Sequence, residues 1–258
     1  MAEFNIPGRY YRMYPPEKFL GHATKELKLD TKDLAFVVVD VYGLGFDGDG
    51  RRSKWSGMCS EQSINREGEI IREHILPALN AARKLGIPII YVSNSAPRIN
   101  LGNSMYDEVK RNTHDYETEK LYSENNVDPL EYSYGDSDVL HYSKLIAPQP
   151  TDYYIRKHVH SGFFDTRLDS LLRNLGAKTL IFTGFALDMC LGTTMIDALW
   201  RNYRVVLLRD CTFAIEIPGV DPPGSWTERW IIYTEAEIGY TATSEQFIAA
   251  VKESLSKT

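Results

Sequence analysis

Ala35-Phe36-Val37-Val38-Val39-Asp40 is an unbroken apolar run closed by a carboxylate. A strand with one face in water alternates apolar and polar residues, whereas a continuous run of this length is expected where both faces are covered. It therefore predicts a central strand of a parallel sheet. Residues 65–85 place Ile71, Ile75, Ala78, Leu79, Ala82 and Leu85 on one helical face. Pro77 predicts a kink in that helix and Gly86 its C-terminal cap. A second strand follows at 87–92.

Further along, short strands are expected at 153–156, 179–183 and 204–208. Helices are expected at about 166–175, opened by a capping box of Thr166 and Asp169, at 190–203 and at 244–256. Strands separated by helices specify an α/β fold, here a doubly wound, mostly parallel six-stranded sheet with helices on both faces. All 258 residues are expected to form one domain. It carries an N-terminal extension of about 1–30 and an irregular insert of about 97–150, rich in Tyr, Asn, Asp and Ser. Long irregular segments of this kind serve as lids, as interface arms or as solvated excursions. Tyr10, Tyr11, Tyr14 and the insert tyrosines are candidates for an aromatic lid or a subunit contact.

Composition narrows the function. Lys and Arg number 29 against 35 Asp and Glu, a net charge of −6 with no basic block, which speaks against a nucleic-acid binder. No apolar run is long enough to predict a membrane span, and the first residues lack a secretory pattern. Three cysteines, Cys59, Cys190 and Cys211, suggest neither a disulfide framework nor a zinc cluster. A reducing cytoplasm is the expected compartment.

In open α/β sheets the ligand crevice lies beyond the carboxyl ends of the strands. Asp40 ends the first strand, Lys157 follows the third, and Cys190 stands at the loop-to-helix junction after the fourth. Three segments thus bring a carboxylate, an ammonium and a thiol to one rim. A helix N-terminus beside a cation is expected to lower the thiol pKa toward neutrality, and its N–H groups suit an oxyanion. Asp40 is placed to move the proton, with Lys157 holding it. Each residue alone has a plainer reading, since an isolated Cys is commonly a small buried hydrophobe. Taken together they point to an α/β enzyme with cysteine chemistry.

The chain resembles the isochorismatase-like cysteine hydrolases. The resemblance rests on residues 35–40, on Lys157 with Ser161-Gly162-Phe163-Phe164-Asp165-Thr166, and on Thr183-Gly184-Phe185-Ala186-Leu187-Asp188-Met189-Cys190. It covers about 33–96 and 151–250. It implies an Asp40–Lys157–Cys190 triad and a cis peptide at Phe185–Ala186. An oxyanion hole built from the N–H groups of Ala186 and Cys190 would complete the site. The cysteine favours C–N cleavage over the vinyl-ether chemistry of true isochorismatases. Metal-dependent nicotinamidases carry Asp-x-His where this chain has Ser93-Asn94-Ser95, so no metal and no cofactor are expected. His158 and His160 form a His-x-His pair without a third ligand.

The Ser-Gly-Phe-Phe-Asp-Thr segment and Glu235 resemble ureidoacrylate amidohydrolases, while Val41-Tyr42 departs from the Met-Gln usual there. Asn94, Glu235 and Phe163 are the candidate substrate-binding residues. The expected activity is hydrolysis of a small ureide, carbamoyl compound or amide by a homo-oligomer, a dimer or tetramer, with neither nucleic acid nor membrane as partner. The alternatives are ether hydrolysis by Asp40 without the thiol, and a non-catalytic binding protein on the same fold.

Overall fold

The computed structural model describes residues 3–42, 61–94, 104–106, 108–109, 142–217, 219–220 and 222–257, with the backbone alone for 61–64. Most of the insert, and Cys59, lie outside the described residues. Strand β1 (Glu3–Arg12) and β2 (Gly21–Asp30) form a hairpin, followed by β3 (Leu34–Val39). Helix α1 (Glu61–Ile70) runs through a π-turn (Ile71–Ile75) into α2 (Leu76–Leu85), and β4 (Ile89–Asn94) follows. Then come β5 (Tyr153–Lys157), α3 (Leu168–Asn174), β6 (Thr179–Gly184), α4 (Cys190–Trp200) and β7 (Arg204–Leu208). The chain closes with α5 (Ser225–Tyr233), β8 (Tyr240–Ala242) and α6 (Ser244–Ser256).

The strands form one sheet in the order β2-β1-β8-β7-β6-β3-β4-β5. The six strands from β8 to β5 are parallel, and β1 joins β8 antiparallel through Arg9 and Thr241. The α/β class holds, but the sheet has eight strands rather than six. The N-terminal extension is part of it, because Phe4 and Ile6 alternate with polar residues and turn into the core. Strand β8, only three residues long, left no periodic pattern to read.

Every residue of β3 is buried. Phe36 and Val38 pack with Phe4, Tyr91, Leu79 and Phe247 on one face. Val37 and Val39 pack with Val92, Phe182, Leu191 and Met195 on the other. At about 1.5–3 kcal/mol per large apolar side chain, this double coverage is what holds the strand central. Gly86 caps α2 in a left-handed conformation, as the sequence predicts. The Pro77 irregularity takes the form of the π-turn: Leu76 N–H donates to the Ile71 carbonyl and the helix continues.

The Thr166–Asp169 capping box does not form. Thr166 accepts from Leu168 N–H and donates to Gly162 C=O, while Asp169 binds Arg173 and the Tyr203 hydroxyl. Reciprocal capping occurs instead at α6, between Thr243 and Gln246.

Candidate active site

Strand β4 lies between β3 and β5, so Asp40 and Lys157 leave the sheet two strands apart. At about 4.8 Å per strand that is roughly 10 Å of backbone separation, a gap the long lysine side chain can span. Its ammonium lies 2.8 Å from Asp40 Oδ2, with the Lys157 side chain fully buried. It also donates to Asn94 Oδ1, from the last residue of β4. Asp40 adopts φ 47°, a left-handed conformation in which a non-glycine residue is strained. Its N–H remains tied to the Val92 carbonyl at 2.9 Å.

Gly184 ends β6 so close to β3 that a Cβ there would stand 1.9 Å from the Val39 carbonyl oxygen. Only glycine permits that approach, and the turn after it carries the thiol to the carboxylate. The Phe185–Ala186 peptide is cis. The Ala186 carbonyl accepts from the N–H groups of Met189 and Leu191. Among the described residues, neither Ala186 N–H nor Cys190 N–H donates a hydrogen bond. Cys190 opens α4, its Sγ 4.0 Å from Asn94 Oδ1.

The electrostatics differ from the expectation of a lowered thiol pKa. Burial first, and then the Asp40 charge, push the Cys190 thiol up to about 12, outweighing Lys157. Burial works to lower the Lys157 pKa, yet Asp40 and Cys190 together hold the ammonium above its usual range. The resting site is a protonated thiol beside a carboxylate–ammonium pair. A thiol held in this way can act as a nucleophile only when a neighbouring base takes its proton.

Sequence reasoning missed Tyr42. Its hydroxyl accepts from Asn94 N–H at 2.8 Å and donates to Asp40 Oδ1 at 2.7 Å, so it fixes the carboxylate from the side opposite Lys157. Burial, then Asp40, hold that phenol well above its usual pKa. Tyr42 also pairs as a β-bridge with Tyr142, at the far end of the insert. Tyr106, near the insert's start, meets the His160 ring edge-on at 5.3 Å. Burial chiefly, with Cys190 and Asp40, raises the pKa of its hydroxyl. The described parts of the insert thus sit near this chain's own Asp40 and Cys190. Tyr10 packs on Tyr240 and Tyr11 on His22 within the hairpin region, and Tyr14 is exposed.

Two expected substrate contacts have partners within the protein. Phe163 stacks on Tyr203 at 6.0 Å and lies under the Arg201 guanidinium at 5.1 Å. Its ring is thus held in the core between those side chains, within the apolar cluster that also includes Cys190. Glu235 binds Arg9 at 2.6 Å, His22 at 2.9 Å and the Thr241 hydroxyl, so both its oxygens are engaged in tying the hairpin to β8. Asn94 is at the site, but as a link between Lys157 and Cys190. Of the histidine pair, His158 faces Asp165 at 3.4 Å and His160 faces Tyr106.

Residues 56–219 match the family described as Isochorismatase domain, a span containing Lys157 and Cys190 but not Asp40. Ureidoacrylate amidohydrolase RutB of Pantoea ananatis is 45% identical over 67 residues, 26% of this chain and 27% of that protein. The RutB protein of Rhizobium rhizogenes is 32% identical over 108 residues, 42% of each chain. The matches thus span less than half the length of these relatives. A cysteine hydrolase from Pseudomonas syringae pv. phaseolicola superposes with a TM-score of 0.64 at 22% identity, over 88% of this chain and 95% of that one. N-carbamoylsarcosine amidase from Thermoplasma acidophilum gives 0.55 at 25% identity, over 83% and 97%.

Proposed function

Because the chain belongs to the isochorismatase domain family, we propose that it is a cysteine-dependent amidohydrolase cleaving a C–N bond of a small ureide, carbamoyl compound or amide. The observation that carries this reading is the buried Asp40–Lys157 pair at 2.8 Å, whose charges bear directly on the Cys190 thiol. The names of the RutB relatives and of the carbamoylsarcosine amidase neighbour support the substrate class.

Asp40 takes the thiol proton as Sγ bonds to the carbonyl carbon, and the N–H groups of Ala186 and Cys190 receive the developing oxyanion. The intermediate collapses with loss of the C–N bond, and Asp40 returns its proton to the departing nitrogen. Water then attacks the thioester while Asp40 takes a proton from it. That proton goes back to sulfur as the acid product leaves. Lys157 stays protonated throughout and keeps Asp40 oriented.

We place the enzyme in the cytoplasm as a homo-oligomer. No helix among the described residues is long and apolar enough to cross a membrane. The test is ammonia release from acylureas, biuret, N-carbamoyl amino acids, nicotinamide and aliphatic amides, by wild type and Cys190→Ala, with and without chelator. Chelator-insensitive turnover that disappears in the variant is expected. Turnover surviving in Cys190→Ala would overturn the thiol mechanism and favour hydrolysis by Asp40 alone.

A further inference from the structure

The inner face of α1 and the π-turn carries Ile70, Ile71 and Ile75, all buried. One turn earlier on the same face stands Glu67, only 4% exposed. A carboxyl in that position replaces the apolar side chain that helix periodicity would put there. Among the described residues, no hydrogen bond or ion pair reaches it. A carboxyl so nearly enclosed, with no hydrogen-bonding partner from the described protein residues, calls for an explanation.

Its place in the fold supplies one. The α1–α2 helix precedes β4 and runs opposite to the parallel strands, so its N-terminal half stands at their carboxyl end. Arg66, the preceding residue, lies 5.3 Å over the Phe213 ring. Phe213 in turn packs at 5.1 Å on Phe185, the first residue of the cis peptide leading to Cys190. Burial, and secondarily the charge of Asp40, push the Glu67 carboxyl up to about 8. Near neutral pH it is an uncharged acid, able to donate through one oxygen and accept through the other. A –CO–NH– edge offers the complementary acceptor and donor.

We propose that Glu67 is a substrate-binding residue, its carboxyl donating to the carbonyl and accepting from the N–H of a bound ureide or amide. The inference rests on the amidohydrolase reading and narrows its substrate class to uncharged compounds with a free –CO–NH– edge.

The test separates binding from turnover. Biuret and acetylurea are titrated calorimetrically into Cys190→Ala protein, and into the same protein carrying Glu67→Leu or Glu67→Gln. At least one probe should bind. Glu67→Leu should weaken it roughly tenfold, the loss of one good hydrogen-bonded contact. Glu67→Gln keeps a donor and an acceptor and should stay within about threefold of the parent. Thermal unfolding of the Leu variant at or above the parent's Tm shows that the fold persists. Unchanged affinity in Glu67→Leu would overturn the proposal, as would failure of both probes to bind folded Cys190→Ala protein. Glu67-dependent binding without wild-type hydrolysis would remove the amidohydrolase reading and leave this contact standing.

Discussion

Two buried carboxylates in this molecule each meet a cation, and they do opposite things. Glu235 is closed off: Arg9, His22 and Thr241 occupy both oxygens, and the result is a clamp between the N-terminal hairpin and β8. Its Arg9 and His22 partners are partly solvated, at 29% and 42% side-chain exposure. Asp40 is paired with a lysine that has no access to water, and its neighbours besides are the Tyr42 hydroxyl and a thiol. One carboxylate has both oxygens engaged by three structural partners, while the other stands beside a thiol. Burial and ion pairing are common to both, so neither by itself identifies a reactive group. What distinguishes Asp40 is the company of a thiol and of N–H groups with no backbone acceptor.

The sharpest way to break this contrast is to remove each cation. Lys157→Met would leave Asp40 as an unpaired buried charge, and stability should fall by about 3–5 kcal/mol with activity lost. Denaturant titration and the ammonia assay read both effects; retained activity would deny Lys157 its role. Arg9→Met should cost less, about 1–3 kcal/mol, since its partner keeps His22 and Thr241 and the pair is partly solvated. Its kcat should match wild type, and a large fall would mean that the Glu235 clamp reaches the active site.

Tyr42→Phe removes one hydrogen bond to the Asp40 carboxylate and should lower kcat roughly tenfold, with KM little changed. A fall in kcat/KM arising from KM alone would make Tyr42 a substrate contact instead of a positioning residue. The last comparison concerns Glu67 and pH. The unfolded chain ionises this group near 4.5, whereas the fold keeps it protonated to about 8. The folded state is therefore progressively disfavoured as pH rises between those values, by up to about 1.4 kcal/mol per pH unit, and carries no such penalty below them. Glu67→Gln should raise Tm more at pH 8 than at pH 5, and an equal change at both would contradict a buried neutral acid.

That Asp40, Lys157 and Cys190 would meet was legible because each ends or begins an element whose periodicity could be read. Asp40 closes an apolar run, Lys157 closes a short strand, and Cys190 opens an amphipathic helix. Tyr42 was visible only as a departure from a familiar pair of residues, since no periodicity says that a tyrosine two positions past a strand folds back onto it. The partners of Phe163 and Glu235 were missed for a related reason. Lying near a motif in sequence does not say between which side chains a ring will pack, nor that an N-terminal hairpin will reach across to claim a glutamate. The thiol pKa was read with the wrong sign because helix terminus and lysine were weighed without burial and without the adjoining carboxylate.

The measurement that bears most directly on the central claim is the intact mass of wild-type protein acid-quenched during turnover of the best panel substrate. The account predicts a species heavier by the acyl group, mapped by peptide mass to Cys190 and absent from Cys190→Ala. Full turnover with no adduct at any quench time, together with an active Cys190→Ala protein, would contradict it.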